Sequence, residues 1–395
     1  VDYKLNTVTV KLKDTLESNT TYSLNFGKAI KDVNEGNVMK DFTYIFSTGP
    51  YIDSLQLKGT VVLAETGKAD STLIVMLHTS SNDSVVIKEK PRYIAKLDSM
   101  GNFIFKNLPQ ATYYLYALKD DGGTLRYFND KQLFAFADKP ITVDTKTEPV
   151  ILYAYIAAEE QEAPSSSSSS SSLQGLSFNN RNRANNTAEN RLKYQTNLNN
   201  KQQDLLSNFK MTFDKPLRLF DSSKINLYAD STFTPVEAYR FVLDSSSRKL
   251  ELITTWKENT SYHLIMDKDF ADDSSGNKLL KTDTLSFLTN KLSDYGSVKL
   301  KLHHLDLSKN PVLQFIAGNS LYKSYPLSSE DFSESLFLPG DYELRLLFDD
   351  NKNGQWDPGD FFVEHRQPEI VKPFSRHTIT IKKSWENEFD LESPQ

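Results

Sequence analysis

The residues best suited to hold a ligand lie in one run, Asp349-Asp350-Asn351-Lys352-Asn353-Gly354-Gln355-Trp356-Asp357-Pro358-Gly359-Asp360. Counted from Asp349, side-chain oxygens fall at positions 1, 3, 5, 9 and 12, on Asp349, Asn351, Asn353, Asp357 and Asp360, with Gly354 at position 6. A loop with this spacing can wrap Ca²⁺, and the main-chain carbonyl of Gln355 adds a further ligand. Hard carboxylate and amide oxygens suit a hard cation, and glycine permits the sharp turn. Two features depart from the pattern. The last position carries Asp360 where a longer, bidentate Glu is usual, and the flanks read as strands, not helices. The competing expectation is an Asp/Asn/Gly-rich hairpin turn closed by its own side-chain hydrogen bonds. A related run, Asp120-Asp121-Gly122-Gly123-Thr124-Leu125-Arg126-Tyr127, lacks the Asn ligands and gains an arginine. An ion would therefore be a local staple of the later loop alone.

No other residues converge on a reaction. The six histidines are His78, His263, His303, His304, His365 and His377. His303 and His304 are neighbours in an expected strand, so their side chains are expected on opposite faces and not on one zinc ion. Neither a G-x-S-x-G elbow nor an H-E-x-x-H helix occurs, and no glycine loop is built to cradle phosphate. The acidic doublets Asp120-Asp121, Asp272-Asp273 and Asp349-Asp350 sit among turn residues, where solvated carboxylates are ordinary, so a glycosidase pair is not expected. Trp256, Trp356 and Trp385, with Tyr113, Tyr114 and Tyr116, raise the question of sugar stacking. Alternating strand aromatics belong in a core, which leaves Trp356 as the candidate for an exposed contact. The expectation is a non-enzymatic chain with no cofactor other than calcium.

Composition narrows the class. With 395 residues the chain suits three or four domains, and a hydrophobic share of 38% fits several thin layers better than one large core. The 24 Phe and 19 Tyr, with recurrent Val, Ile and Thr, favour pleated, half-buried surfaces. A net charge of −6 with interspersed signs leaves no basic stripe for a phosphate backbone, so nucleic acid is excluded as a partner. There is no cysteine, hence no disulfide framework and no thiolate metal site. Apolar runs such as Val150-Ile151-Leu152 are of strand length and cannot span a bilayer.

The elements that must position the loop come from an internal duplication. Asn19-Thr20-Thr21-Tyr22 returns as Asn259-Thr260-Ser261-Tyr262, and in the same register Leu12, Leu24, Asp32, Gly36 and Asn37 match Leu252, Leu264, Asp272, Gly276 and Asn277. Phe46-Ser47-Thr48 and Phe287-Leu288-Thr289 close the pattern one residue out of step. A second pair joins Leu108-Pro109, Tyr113 and Asp120-Asp121 to Leu338-Pro339, Tyr342 and Asp349-Asp350. The order is A, B, linker, A, B. The expected boundaries are 1–53 for the C-terminal part of a first A unit, 54–157 for B, 158–204 for the linker, 205–292 for A, 293–386 for B and 387–395 for a tail. The register implies that the first A unit lacks its opening strands, so the natural protein is expected to extend upstream, where an export signal could lie. The linker holds eight serines, Ser165 to Ser172, and an Asn/Arg-rich stretch, and is read as a tether. Leu173, Leu176 and Phe178 leave docking onto a partner as the other reading.

Short strands separated by turn clusters every 8–12 residues describe an immunoglobulin-like sandwich. The A units resemble the bacterial Ig-like domain of surface-layer proteins and surface lipoproteins. The resemblance rests on Asn19-Thr20-Thr21-Tyr22, the Asp32–Asn37 turn and Phe46-Ser47-Thr48-Gly49. The B units, through Leu57-Lys58-Gly59-Thr60-Val61-Val62, Gly101-Asn102-Phe103-Ile104-Phe105 and the strand from Tyr113, resemble transthyretin-like or carboxypeptidase-regulatory-like modules. The expected fold is thus all-β, tandem sandwiches in a duplicated Ig-like plus transthyretin-like arrangement. The resemblance implies an outer-membrane lipoprotein of the Bacteroidota type on the extracellular face, attached through a lipid anchor upstream of Val1. The expected role is a structural and interaction subunit whose partners are other outer-membrane or surface proteins. Two alternatives stand beside it: a surface glycan-binding or adhesion protein, and the spacer region of an enzyme whose catalytic domain lies upstream.

Overall fold

The computed structural model describes residues 2–4, 7–12, 15–32, 34–40, 42–157 and 191–394. Among the described residues its elements are almost entirely strands, with one four-residue α-helix at Val85–Lys88 and three single-turn 3-10 helices. The fold is all-β, and the strands assemble into tandem sandwich modules.

In the first B unit one sheet has the order Val150–Ala154, Leu55–Leu63, Asn102–Leu108, the first pair being parallel. The facing sheet runs Phe134–Phe136, Ala111–Lys119, Leu73–His78, Tyr93–Lys96, with Ile141–Val143 also paired to Ala111–Lys119. The period of two in Leu57 and Val61, Leu73, Val75 and Leu77, and Tyr113, Leu115 and Ala117 sends these side chains into one core between the sheets. The second B unit repeats the plan. Asp331–Phe337, Gly296–His303 and Glu386–Glu392 form one sheet, again with a parallel pair, and Ser320–Pro326, Pro311–Ala317, Gly340–Phe348 and Ile370–Ile381 form the other. The duplication reaches single hydrogen bonds. The Tyr113 hydroxyl donates to the Pro109 carbonyl (3.2 Å), and the Tyr342 hydroxyl to that of Leu338 (3.0 Å), each four residues back.

The second A unit packs the sheet Tyr194–Thr196, Phe209–Phe213, Lys249–Thr254, Tyr239–Leu243 against one centred on Ser261–Met266. Phe209, Met211, Phe213, Leu252, Leu264 and Phe287 fill the space between. In the first A unit Thr21–Asn25 pairs with Thr43–Ser47, and Tyr22 lies opposite Phe46 as Tyr262 lies opposite Phe287. The two phenylalanines are thus equivalent despite the one-residue slip. Leu12 is 43% exposed where its counterpart Leu252 is buried; Leu252 pairs with Phe209 of the Phe209–Phe213 strand, whereas among the described residues of 1–53 no strand pairs at Leu12.

Three expectations need correction. The stretch assigned as linker up to 204 already contains sheet: Tyr194–Thr196 pairs with Phe209–Phe213, and Leu192 is in the core. Its polar composition hid a short edge strand that places few side chains inside. The stretch assigned as a tail from 387 is mostly the strand Glu386–Glu392, which pairs with Gly296–His303 and buries Leu391. Its alternating charges face water and disguise the period of two. The doublets at 272–273 and 349–350 are not simply solvated, since Asp272, Asp273 and Asp349 are all buried. Asp272 takes the Arg218 guanidinium (2.7 Å), which holds its carboxyl below the usual range. Asp273, not Asp272, accepts the turn amides of Ser275 and Asn277. It thereby does the work of Asp32, which accepts from Asn34, Glu35 and Gly36. The linker residues 158–190, with Leu173, Leu176 and Phe178, lie outside the described residues.

Candidate functional site

The loop singled out by its spacing leaves the end of the Gly340–Phe348 strand and returns at Ile370–Ile381. Asp349, at the strand's end, accepts hydrogen bonds from the backbone amides of Lys352 (2.7 Å), Asn353 (3.2 Å) and Gly354 (2.7 Å). The Asn351 and Asn353 side-chain nitrogens both donate to the same Asp357 oxygen at 2.6 Å, while their oxygens accept from the amides of Asn353 and Gln355. Asp349, Asn351, Asn353, Gln355 and Asp357 are therefore brought together in one turn. Asp360 is not part of it, because its carboxylate accepts the Val363 amide in the next turn.

The residue that closes the loop, Glu369, lies outside the spacing pattern. Glu369, 3% exposed, accepts the amides of Asp350 (2.8 Å) and Asp357 (3.0 Å), while its carbonyl accepts the Trp356 indole N–H (2.7 Å). Burial, reinforced by the charges of Asp349 and Asp357, pushes the Glu369 carboxyl above the usual range. The side-chain oxygens of Asp349, Asn351, Asn353 and Glu369 accept backbone amides, and that of Asp357 accepts the two asparagine side-chain amides. Among the described residues, no group of three or more His, Asp or Glu side chains is placed to hold a metal ion.

The rest of the loop reaches the first B unit. Phe361, 4% exposed, enters a cluster of that unit's rings, with centroids 4.8 Å from Phe136, 5.4 Å from Phe134 and 5.6 Å from Tyr116. Val85 and Val86 of the short helix, with Met76 and Leu118, complete the surround. The Tyr116 hydroxyl is pushed up to about 12 by this burial. His365 Nε2 pairs with Asp83 (2.7 Å), and the Gln367 amide donates to the Phe136 carbonyl (3.0 Å). The Val371 amide donates to the Ala64 carbonyl (2.8 Å), and Lys68 pairs with Glu343 (3.1 Å). The outer face of the first unit's larger sheet is thus buried, which explains why Leu73–His78 and Ala111–Lys119 are buried on both sides.

The aromatic candidates divide accordingly. Tyr113 and Tyr116 are buried and Trp256 is core, edge-on to Tyr262 and Phe287. Trp356, expected to be exposed, is half-buried between the two B units because its indole is bonded to Glu369. It lines a cleft of ≈ 410 Å³ with Glu65, Asp70, Lys119, Asp121 and Lys131. Trp385 is exposed under the Lys382 ammonium. His303 and His304 are not on opposite faces: the strand ends at His303, and His304 turns with φ 59°, so their rings lie 6.4 Å apart. They pair separately with Asp390 and Glu392. His263 bonds Ser286, His78 is buried, and the His377 side chain lies outside the described residues.

Residues 1–48 match the family model described as a bacterial Ig-like domain. No curated protein matches the chain. Among solved structures, BcpA, the major pilin subunit of Bacillus cereus, is similar at 8% identity over 85% of this chain and 99% of that one, with a TM-score of 0.20. The N-terminal part of the bacterial S-layer protein SbsC matches at 14% identity over 47% of this chain and 44% of its own, with a TM-score of 0.24. The Bacillus anthracis TIE protein matches at 10% identity over 91% of this chain and 53% of its own, with a TM-score of 0.20.

Proposed function

We propose that this chain is a non-enzymatic structural and interaction subunit on the outside of a bacterial cell, serving as a surface lipoprotein in a larger outer-membrane assembly. The observation that carries the reading is the use made of the most elaborate loop. Residues 349–369 join two sandwich modules through Phe361, His365 and Gln367, and so build architecture. The similarity of residues 1–48 to a bacterial Ig-like domain supports the surface setting. Partners would be other outer-membrane or surface proteins, met through sandwich edges and end loops with affinity from shape complementarity. The test is recovery of the tagged full-length protein from gently solubilised outer membranes, followed by mass spectrometry. A stoichiometric set of membrane partners is expected, and recovery of the protein alone would refute the assembly role.

Within this reading the Asp349–Asp360 loop takes one Ca²⁺ as a local staple. Its support is the spacing of Asp349, Asn351, Asn353 and Asp357 in one turn, beside a Glu369 carboxyl that burial and the charges of Asp349 and Asp357 push upward. A second reading, glycan binding, draws on the cleft where Trp356 meets polar side chains of the first B unit. Binding on a polysaccharide array, lost on Trp356→Ala, would favour it, and silence across a broad array would remove it.

A further inference from the structure

The buried contact between the two B units joins segments separated in sequence by the linker and the whole second A unit. Its centre is apolar: Phe361 fills a socket of Tyr116, Phe134, Phe136 and Tyr155. The turn carrying Phe361 is braced by reciprocal backbone hydrogen bonds between Asp360 and Arg366 (2.8 and 2.7 Å), so the plug is presented by a fixed hairpin. Around it lie polar contacts, His365 with Asp83 and Lys68 with Glu343, of the exposed kind that contribute little by themselves. An apolar centre within a polar rim is the anatomy of a specific interface between separate bodies.

Two glycines, one from each unit, sharpen this. A Cβ on Gly67 would stand 2.5 Å from Pro373 Cδ and 2.8 Å from the Val371 carbonyl oxygen of the other unit. One on Gly359 would stand 2.7 Å from the Tyr155 ring. Both backbones approach as closely as a residue without a side chain allows. The Val371 amide then meets the Ala64 carbonyl in a direct backbone bond between units. Nothing in either module's own core asks for these features, since the residues involved lie outside both inner cores.

We propose that this contact is a self-sufficient joint: the two halves of the chain hold each other noncovalently, so that the covalent link through 158–190 can be cut without separating them. The inference stands apart from the assembly role. It makes the chain a two-part body that survives a nick in its serine-rich stretch.

The test is to express the chain as two co-produced polypeptides, split between Ser168 and Ser169, with the tag on the second. The first should co-purify in equimolar amount. Gly67→Asn keeps a residue tolerant of the left-handed conformation (φ +66°) but sets a side chain against Pro373. It should lower recovery of the first polypeptide about tenfold or more, and Phe361→Asp should do the same. Two soluble halves that migrate apart, or a complex indifferent to both substitutions, would overturn the proposal. The unsplit chain supplies a second measurement, because hydrogen exchange across 368–374 should accelerate about tenfold or more in Gly67→Asn. Unchanged exchange there would overturn it equally.

Discussion

Truncation of Phe361 to alanine tests whether the aromatic socket is an energetic centre or only a neighbourhood. The ring is 4% exposed and has rings of the other B unit at 4.8, 5.4 and 5.6 Å. Removing a buried phenylalanine in such a setting costs roughly 3–5 kcal/mol, a transfer loss plus the cavity left behind. Because the socket lies between modules, that loss is bounded: once it exceeds the free energy of docking, the units part and no further stability is lost. The measured value is therefore the smaller of the cavity cost and the docking free energy. Phe362 is the internal control. It adjoins Phe361 but is 42% exposed, and its ring lies 5.3 Å from that of Tyr127 of the first unit. Its truncation should cost about 1 kcal/mol or less. The assay is hydrogen exchange by mass spectrometry on peptides spanning 59–67 and 368–374, which flank the Val371–Ala64 bond. Phe361→Ala should raise the opening equilibrium there roughly a hundredfold, with Phe362→Ala within about tenfold of wild type. Equal effects from the two substitutions would refute the assignment of Phe361 as the plug.

Three further outcomes follow from the geometry. If the loop takes calcium, saturating Ca²⁺ should raise the melting temperature, stabilising by about 2.7 kcal/mol at a hundred times the dissociation constant. Asp357→Ala should abolish that rise, which scanning calorimetry with and without chelator would show. Tyr113→Phe and Tyr342→Phe each delete one hydroxyl donated to a carbonyl four residues back, and should destabilise their modules by matching amounts of about 1 kcal/mol in urea unfolding. Unequal losses would mean that the duplication stops short of energetics. Burial holds the His78 imidazole below its ordinary value, and its Nε2 has no partner. The unfolded chain therefore binds this proton more readily, so stability is full above about pH 6.5 and falls as pH drops below it. Glu89, whose charge works against that shift, and Tyr116, edge-on to the ring, are the groups that face it. His78→Gln should flatten the slope measured by denaturation between pH 7 and 5.

The architecture was legible because duplication and strand period act locally. The Tyr22 and Tyr262 strands, the leucines of 73–77 and the tyrosines of 113–116 each alternate within a few residues, and the repeated spacing fixed their partners. Legibility failed where a strand buries little. Tyr194–Thr196 is an edge, and Glu386–Glu392 turns its acidic side chains to Lys299 and to water, leaving only Phe389 and Leu391 to mark its period of two. The histidine pair misled for a similar reason: the strand ends one residue early, and one left-handed residue cancels the alternation. In the loop, Asp349, Asn351, Asn353 and Asp357 share one turn within a short run of sequence, whereas Glu369 lay beyond any local pattern.

The larger omission was the meaning of sheets apolar on both faces. Leu73-Ile74-Val75-Met76-Leu77 and Leu346-Leu347-Phe348 are too continuously apolar for sandwiches that show one face to water. An antiparallel strand of that kind requires a cover, and the cover here is another module of the same chain: the 349–369 loop over one sheet, the Ala64–Gly67 turn against the other. Periodicity can report that a second face is buried, but its partner is set by matching two surfaces distant in sequence, which no local pattern encodes. The run Asp360-Phe361-Phe362-Val363 carried the complementary hint, since two phenylalanines at the tip of a polar turn have no place in their own core. An apolar turn tip and a doubly apolar sheet in one chain therefore predict a module joint together, where each alone predicts only an exposed patch.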